Sequence, residues 1–372
     1  MKQVAWITYA AVALAACAPT TKPVVTAPEP TAAPPVQKPP EQPAAVAAAV
    51  ASAVREAPRN WQLLDDSIDH YPGISLLRAQ RELLNGKAPR HSVIVAVIDG
   101  GVDTAHAALR ARLWTNSKEV AGNGKDDDRN GHIDDVHGWN FIGGKDGRDV
   151  NYDTFELTRM FVRCAGTPQT VTERAMPAID STKCSKVSAD YAGKKNEINS
   201  TLEQMRTIEA VMNRALPILK QAAGTDTLTP AKVEALAATS PQVVAARGLY
   251  LQLAQQGATP EAVTEAVTEY GVQSQYGLNT DYDPRDIVGD NYADPSQRDY
   301  GNTDVTGPDA KHGTHVAGII AAAPEANSGV EGIASAALIM PVRAVPDGDE
   351  RDKEIANAIR YAVDNGARVI NM

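Results

Sequence analysis

Val93-Ile94-Val95-Ala96-Val97-Ile98 is an unbroken, mostly β-branched run, the pattern of a strand covered on both faces in a parallel sheet. It stops at Asp99-Gly100-Gly101. A second apolar run, residues 337–343, is followed by Ile355, Ala358, Ile359, Ala362 and Val363 at i, i+3, i+4, i+7 and i+8. That spacing predicts an amphipathic helix ending at Asn365-Gly366. Residues 368–372 then open another strand, and strand, helix, strand at this spacing is a βαβ unit. Upstream of it, Lys311-His312-Gly313-Thr314-His315-Val316-Ala317-Gly318-Ile319-Ile320 predicts a small-residue helix with His312 at its mouth. Residues 150–278 have a different texture. Thr229-Pro230, Ser240-Pro241 and Thr259-Pro260 each supply a hydroxyl N-cap with proline at N1. Residues 196–221 place Ile198, Leu202, Met205, Ile208, Met212, Leu216 and Leu219 on one side of a further helix.

The N-terminus reads as an address. Met1-Lys2 is a short positive segment, residues 4–16 are apolar, and the run closes at Leu14-Ala15-Ala16-Cys17, too short for the roughly 18 residues of a membrane span. It resembles the lipobox of bacterial lipoproteins, which implies a lipidated Cys17 and, in a Gram-negative cell, an outer-membrane anchor. An ordinary secretory signal with an incidental cysteine is the other reading. From Ala18 to about Pro58 the chain is Pro, Ala, Thr, Val, Glu and Gln, with proline doublets at 34–35 and 39–40, a semi-rigid tether. Of the three cysteines, Cys164 and Cys184 then remain as a pair in an oxidising compartment. A disulfide between them would close a loop of about 20 residues, against the alternative of two buried thiols.

The 372 residues, 43% hydrophobic and 22% charged, suffice for a sizeable core, while a net charge of -10 argues against nucleic acid as a partner. The acid at the end of the first run is the more informative charge, because chemistry in open α/β folds lies just beyond the carboxyl ends of the strands.

The segments 97–103, Val-Ile-Asp-Gly-Gly-Val-Asp, and 312–318, His-Gly-Thr-His-Val-Ala-Gly, resemble the Asp and His blocks of the subtilisin-like serine peptidases, in the order Asp before His. The resemblance implies an α/β subtilisin-like three-layer fold with a parallel central sheet, and Asp99 and His312 as catalytic residues. His312 would relay the proton of a serine hydroxyl while Asp99 fixes its tautomer. His315, one turn on, is the lesser candidate. Gly100 departs from the family's usual Ser or Thr. The nucleophilic serine and the oxyanion-hole Asn are expected beyond Met372; Ser328 and Ser335 lack the required context, so this stretch by itself is expected to be inactive.

Residues 123–135, Asn-Gly-Lys-Asp-Asp-Asp-Arg-Asn-Gly-His-Ile-Asp-Asp, crowd oxygen donors around a glycine. Set against an EF-hand loop, Asp126, Asp128, Asn130, His132 (through its carbonyl) and Asp134 fall at ligand positions for calcium, without the closing Glu. A similar block, here ending Gly138-Trp139-Asn140-Phe141, occurs in many subtilases. A self-bonded Asx-turn loop is the alternative.

The organisation expected is a leader (1–16), a tether (17–58), a first catalytic segment (59–149), a helical insertion (150–278) and a second catalytic segment (279–372). The function expected is a lipid-anchored serine endopeptidase of the cell envelope acting on polypeptides, with structural calcium and no organic cofactor. A non-catalytic envelope lipoprotein that binds through the same scaffold, and a calcium-dependent structural protein, are the alternatives.

Overall fold

The computed structural model describes residues 57–165, 179–237, 240–323, 331–334 and 336–372. The leader, Cys17 and nearly all of the tether lie outside the described residues, as do Ser328 and Ser335. The four strands are β1 (Ile94–Asp99), β2 (Trp139–Asn140), β3 (Leu338–Arg343) and β4 (Val369–Asn371), in the spatial order β2-β3-β1-β4 with every pairing parallel. β1 and β3 are in register from Ile94 opposite Leu338 to Asp99 opposite Arg343.

The unbroken apolar run is explained by helices on both faces. Alternate residues of a strand point to opposite sides, so Ala96 and Ile98 join Met340, Val342, Phe141 and Tyr361 in one cluster, while Val95 and Val97 join Ile339, Ala317 and Ala321 in another. The longer helices are α1 (Glu156–Ala165), α2 (Ser181–Ala223), α3 (Pro241–Gln255), α4 (Pro260–Val272), α5 (Lys311–Ala321) and α6 (Asp352–Asp364). α5 supplies Ala317 and Ala321 to one face of the sheet, and α6 supplies Ala358, Tyr361 and Ala362 to the other. The fold is a parallel-sheet α/β sandwich of three layers, consistent with the subtilisin-like expectation.

α6 packs most of its expected face: Ala358 and Ala362 are in the core and Ile355 and Ile359 lie against it. Glu354, Asn357, Ala358, Tyr361 and Ala362 are buried, and Val363 is exposed. The buried face is therefore broader than expected, widened on the side of Lys353, Glu354, Asn357 and Tyr361. Its first turn can be buried because partners await it: Glu354 pairs with Arg285 at 2.6 Å and Lys353 with Asp290 at 2.7 Å.

The inserted helices begin where the hydroxyl caps place them. Thr229, Ser240 and Thr259 accept from the amides of Lys232, Val243 and Ala262, satisfying donors that a first turn otherwise leaves open. α2 extends the expected 196–221 by more than four turns at its N-terminal end, capped by Asp180 and closed by left-handed Gly224. Its extension carries Cys184, which is disulfide-bonded to Cys164 at the end of α1. A Cys164→Ser, Cys184→Ser double variant is expected to lose about 3 kcal/mol of stability, read as a lower urea midpoint. An unchanged midpoint would show that the bond constrains nothing.

Candidate active site

Asp99 is the last residue of β1, and its side chain is 13% exposed. One carboxylate oxygen, Oδ1, accepts from the Gly100 amide at 2.7 Å. The other, Oδ2, lies 2.8 Å from Nδ1 of His312, 213 residues downstream in the first turn of α5. The pair is brought this close because residue 313 has no side chain: a Cβ there would lie 2.2 Å from the Gly101 carbonyl oxygen and 3.0 Å from Asp99 Oδ1. Thr314, next along, accepts from the Asp103 amide at 2.8 Å and ties α5 to the turn beyond the strand. With Nδ1–H donating to the carboxylate, Nε2 is left as the proton acceptor. The His312 side chain is 66% exposed, so that face of the ring is open to a reacting group. His315 is exposed on the same helix.

Gly100 is not required by its backbone conformation, but a Cβ there would meet the Val345 carbonyl oxygen at 3.2 Å. The glycine at this point therefore goes with a tight approach of the chain that follows β3. Beneath the same turn lies Arg343, 2% exposed, which no sequence argument singled out. Its Nε donates to the Gly100 carbonyl at 2.7 Å and its two Nη atoms reach Asn140 and the Val150 carbonyl. Burial pulls its pKa down, while the nearby Asp149 and Asp304 carboxylates pull it up. The signal for it was a cation closing an otherwise apolar strand.

The acidic loop is organised differently from the EF-hand alignment. Asp126 accepts from the Asn130 and Gly131 amides, and Asp134 from those of Asn123 and Gly124. Asn130 accepts from the His132 amide and donates to Asp135 at 2.9 Å. The amide bonds of Asp126 and Asn130 close local turns, while those of Asp134 tie the two ends of the loop together. Of the expected carboxylate ligands, Asp128 enters a converging group with Glu119 and Asp135, whose carboxylate oxygens all lie within 4.8 Å of one another, and Asp126 and Asp134 do not. Glu119 Oε2 is buried without a hydrogen-bond partner. Burial pushes the Asp135 carboxyl up to about 6 against the lowering effect of the Tyr361 hydroxyl, which donates to it at 2.7 Å. An oxygen-only group of this kind fits a hard cation such as calcium. Glu119 comes from the turn before the loop, and Asp135 falls at the tenth place of an EF-hand register, which carries no ligand.

The His132 side chain turns inward, against Trp139, Phe141 and Tyr361 at ring separations of 4.6, 5.6 and 5.2 Å.

A model of the subtilase family matches residues 90–372. Halolysin of Haloferax mediterranei is 36% identical over 118 residues, 30% of this chain and 21% of that protein. The thermophilic serine proteinase of Bacillus sp. (strain AK1) is 39% identical over 108 residues, 29% and 24% of the two chains. Thermitase of Thermoactinomyces vulgaris is 44% identical over 62 residues, 16% and 22%. The matched stretch thus spans less than a quarter of each of these relatives.

Burial lowers the His132 pKa from 6.5 to about 4, against the raising effect of Asp126 and Asp128. An unfolded chain binds this proton more readily, so the histidine's contribution to stability is present above pH 6.5 and is lost as pH falls through about 4. His132→Phe keeps the aromatic packing and removes the ring nitrogen Nδ1, which is buried without a partner. Urea unfolding from pH 7 to pH 4 should show the variant losing up to about 3 kcal/mol less than the wild type; parallel profiles would contradict this.

Proposed function

The chain belongs to the subtilase family, and from that premise we propose that it carries the Asp and His of a serine endopeptidase triad and acts on polypeptides. The observation that carries this reading is the 2.8 Å bond from His312 Nδ1 to Asp99, at the carboxyl end of a central parallel strand with the ring's other face open. His312 Nε2 would take the proton of a serine hydroxyl as that oxygen attacks the scissile carbonyl, then deliver it to the leaving amine. Asp99 would hold the Nδ1–H tautomer and stabilise the imidazolium. Among the described residues no serine is hydrogen-bonded to His312. We propose that the nucleophile is a serine outside residues 1–372.

A chain extended to include that serine should hydrolyse a peptide substrate and label with a fluorophosphonate. His312→Ala and Asp99→Ala should each lower kcat by about 10⁴-fold or more while the fold is retained. Failure of the extended wild type to label would leave the scaffold-only binding reading in place.

We propose calcium as the occupant of the carboxylate group, held by Glu119, Asp128 and Asp135, with a structural role. Calorimetric titration should give one site that Glu119→Gln or Asp135→Asn weakens about tenfold or more. Asp134→Ala, whose carboxylate ties the ends of the loop through the Asn123 and Gly124 amides, should weaken it less; the reverse order would restore the EF-hand-like ligand set.

The Leu14-Ala15-Ala16-Cys17 sequence supports export and a lipid anchor on Cys17, so the enzyme is proposed to work at the cell envelope, at the outer membrane of a Gram-negative cell. Among the described residues no helix is long and apolar enough to cross a membrane.

A further inference from the structure

β3 ends at Arg343, and residues 344–351 leave it beside the catalytic acid: the amides of Ala344 and Val345 donate to the Asp99 carbonyl at 3.1 and 3.3 Å. Substrates of open parallel sheets lie in the crevice beyond the strand ends, so this loop borders the path of a bound peptide. It is not held there by the sheet. From Asp347 to Glu350 it is anchored on residues 151–159, at the start of the inserted region. The Asp347 amide donates to the Asn151 carbonyl at 2.7 Å, and the Asp153 amide donates to the Asp347 carbonyl at 3.1 Å. Gly348, at φ 145°, passes so close that a Cβ would lie 2.2 Å from the Asp153 carbonyl oxygen. Asp349 accepts from the Glu156 amide at 2.8 Å, covering the first turn of α1 from a segment 193 residues away.

One turn into α1 stands Arg159, 7% exposed. Its guanidinium reaches the carbonyl oxygens of both Asp349 and Glu350 at 3.4–3.5 Å, and also the Thr154 carbonyl. Its Nε is bonded to Glu156 at 2.8 Å. Arg351, which ends the loop, takes the Asp153 carboxylate at 2.7 and 2.8 Å. A buried guanidinium costs several kcal/mol unless its donors are used, and here the fork spans two successive carbonyls of the loop, which a lysine ammonium would not match. The far end of α1 is fixed as firmly: Cys164 is bonded to Cys184 of α2, and Phe161 stacks on Tyr191 of α2 at 4.1 Å.

We propose that α1 is a strut through which the inserted helices set the backbone of residues 347–351, and that Arg159 is the positioning residue at its tip, governing how a peptide is held beside Asp99 and His312 but not the proton transfer itself. The recognition half of this statement rests on the peptidase reading; the mechanical half does not. The test uses the full serine-bearing chain as wild type, Arg159→Met, Arg159→Lys and the Cys164→Ser, Cys184→Ser pair. Amide hydrogen exchange at residues 347–351 should quicken about tenfold in Arg159→Met, with β1 and α5 unchanged, and Arg159→Lys should recover part of the protection. KM for a fluorogenic peptide should rise about tenfold with kcat within about twofold, and cutting the disulfide should move both readouts the same way, by less. Unchanged exchange at 347–351, or kcat and KM falling off in step with thermal stability, overturns the proposal. If the wild type hydrolyses nothing, the peptidase reading has failed on its own, and exchange alone decides the strut: faster in Arg159→Met sustains it, unchanged refutes it.

Discussion

A carboxylate at the end of a buried strand can orient an imidazole only if another element is allowed within hydrogen-bonding distance of it, and the arrangement of the catalytic half follows from that approach. Asp99 is fixed by the β1–β3 register, which sets it opposite Arg343, and by the bonds that Arg343 and the residues after β3 make around its own turn. α5 can deliver His312 because Gly313 lets the first turn of the helix lie against Gly101 and Asp99. Thr314 then fastens the helix to the turn. The helices on the two faces of the sheet keep the strand dry, and the His–Asp pair stands at its wet edge.

Charge is buried chiefly within the second catalytic segment, and one pair, Arg351 with Asp153, ties it to the start of the insertion. Arg285 pairs with Asp290 and Glu354, Lys353 with Asp290, and Arg351 with Asp153 and Asp283. Such pairs contribute little net stability over apolar packing of the same shape, but removing one partner leaves an uncompensated ion. Their effect is to specify one geometry. They join residues 283–290, 153 and the start of α6 into one unit, so the insertion is integrated with the sandwich and does not hang from it. Burial raises the Glu354 pKa, opposed by Arg285, which marks how fully that junction excludes water.

β1, β3, β4, α5 and the capped helices of the insertion were legible because their signals are local: unbroken apolar runs, and hydroxyl-proline pairs that open a helix. Asp99 and His312 were legible through motif resemblance, and the structure brings them together. What was not legible depends on distant partners. The burial of Lys353 and Glu354 at the start of α6 follows from Asp290 and Arg285, more than 60 residues away in sequence. Arg343 reads as the last residue of a strand until Gly100 and Val150 close on it. The acidic loop reads as a linear ligand series, whereas Asp126 serves a turn, Asp134 ties the loop's two ends together, and the converging carboxylates come from Glu119, Asp128 and Asp135.

The central claim is that Asp99 holds His312 as the Nδ1–H tautomer with Nε2 free to accept a proton. Nitrogen-15 spectra of histidine-labelled protein, with His312 assigned by its loss in His312→Ala, report the tautomer directly through the ring couplings. The account predicts an Nδ1-protonated neutral ring in the wild type and loss of that preference in Asp99→Asn. A wild-type ring protonated at Nε2, or a tautomer indifferent to Asp99→Asn, would contradict it.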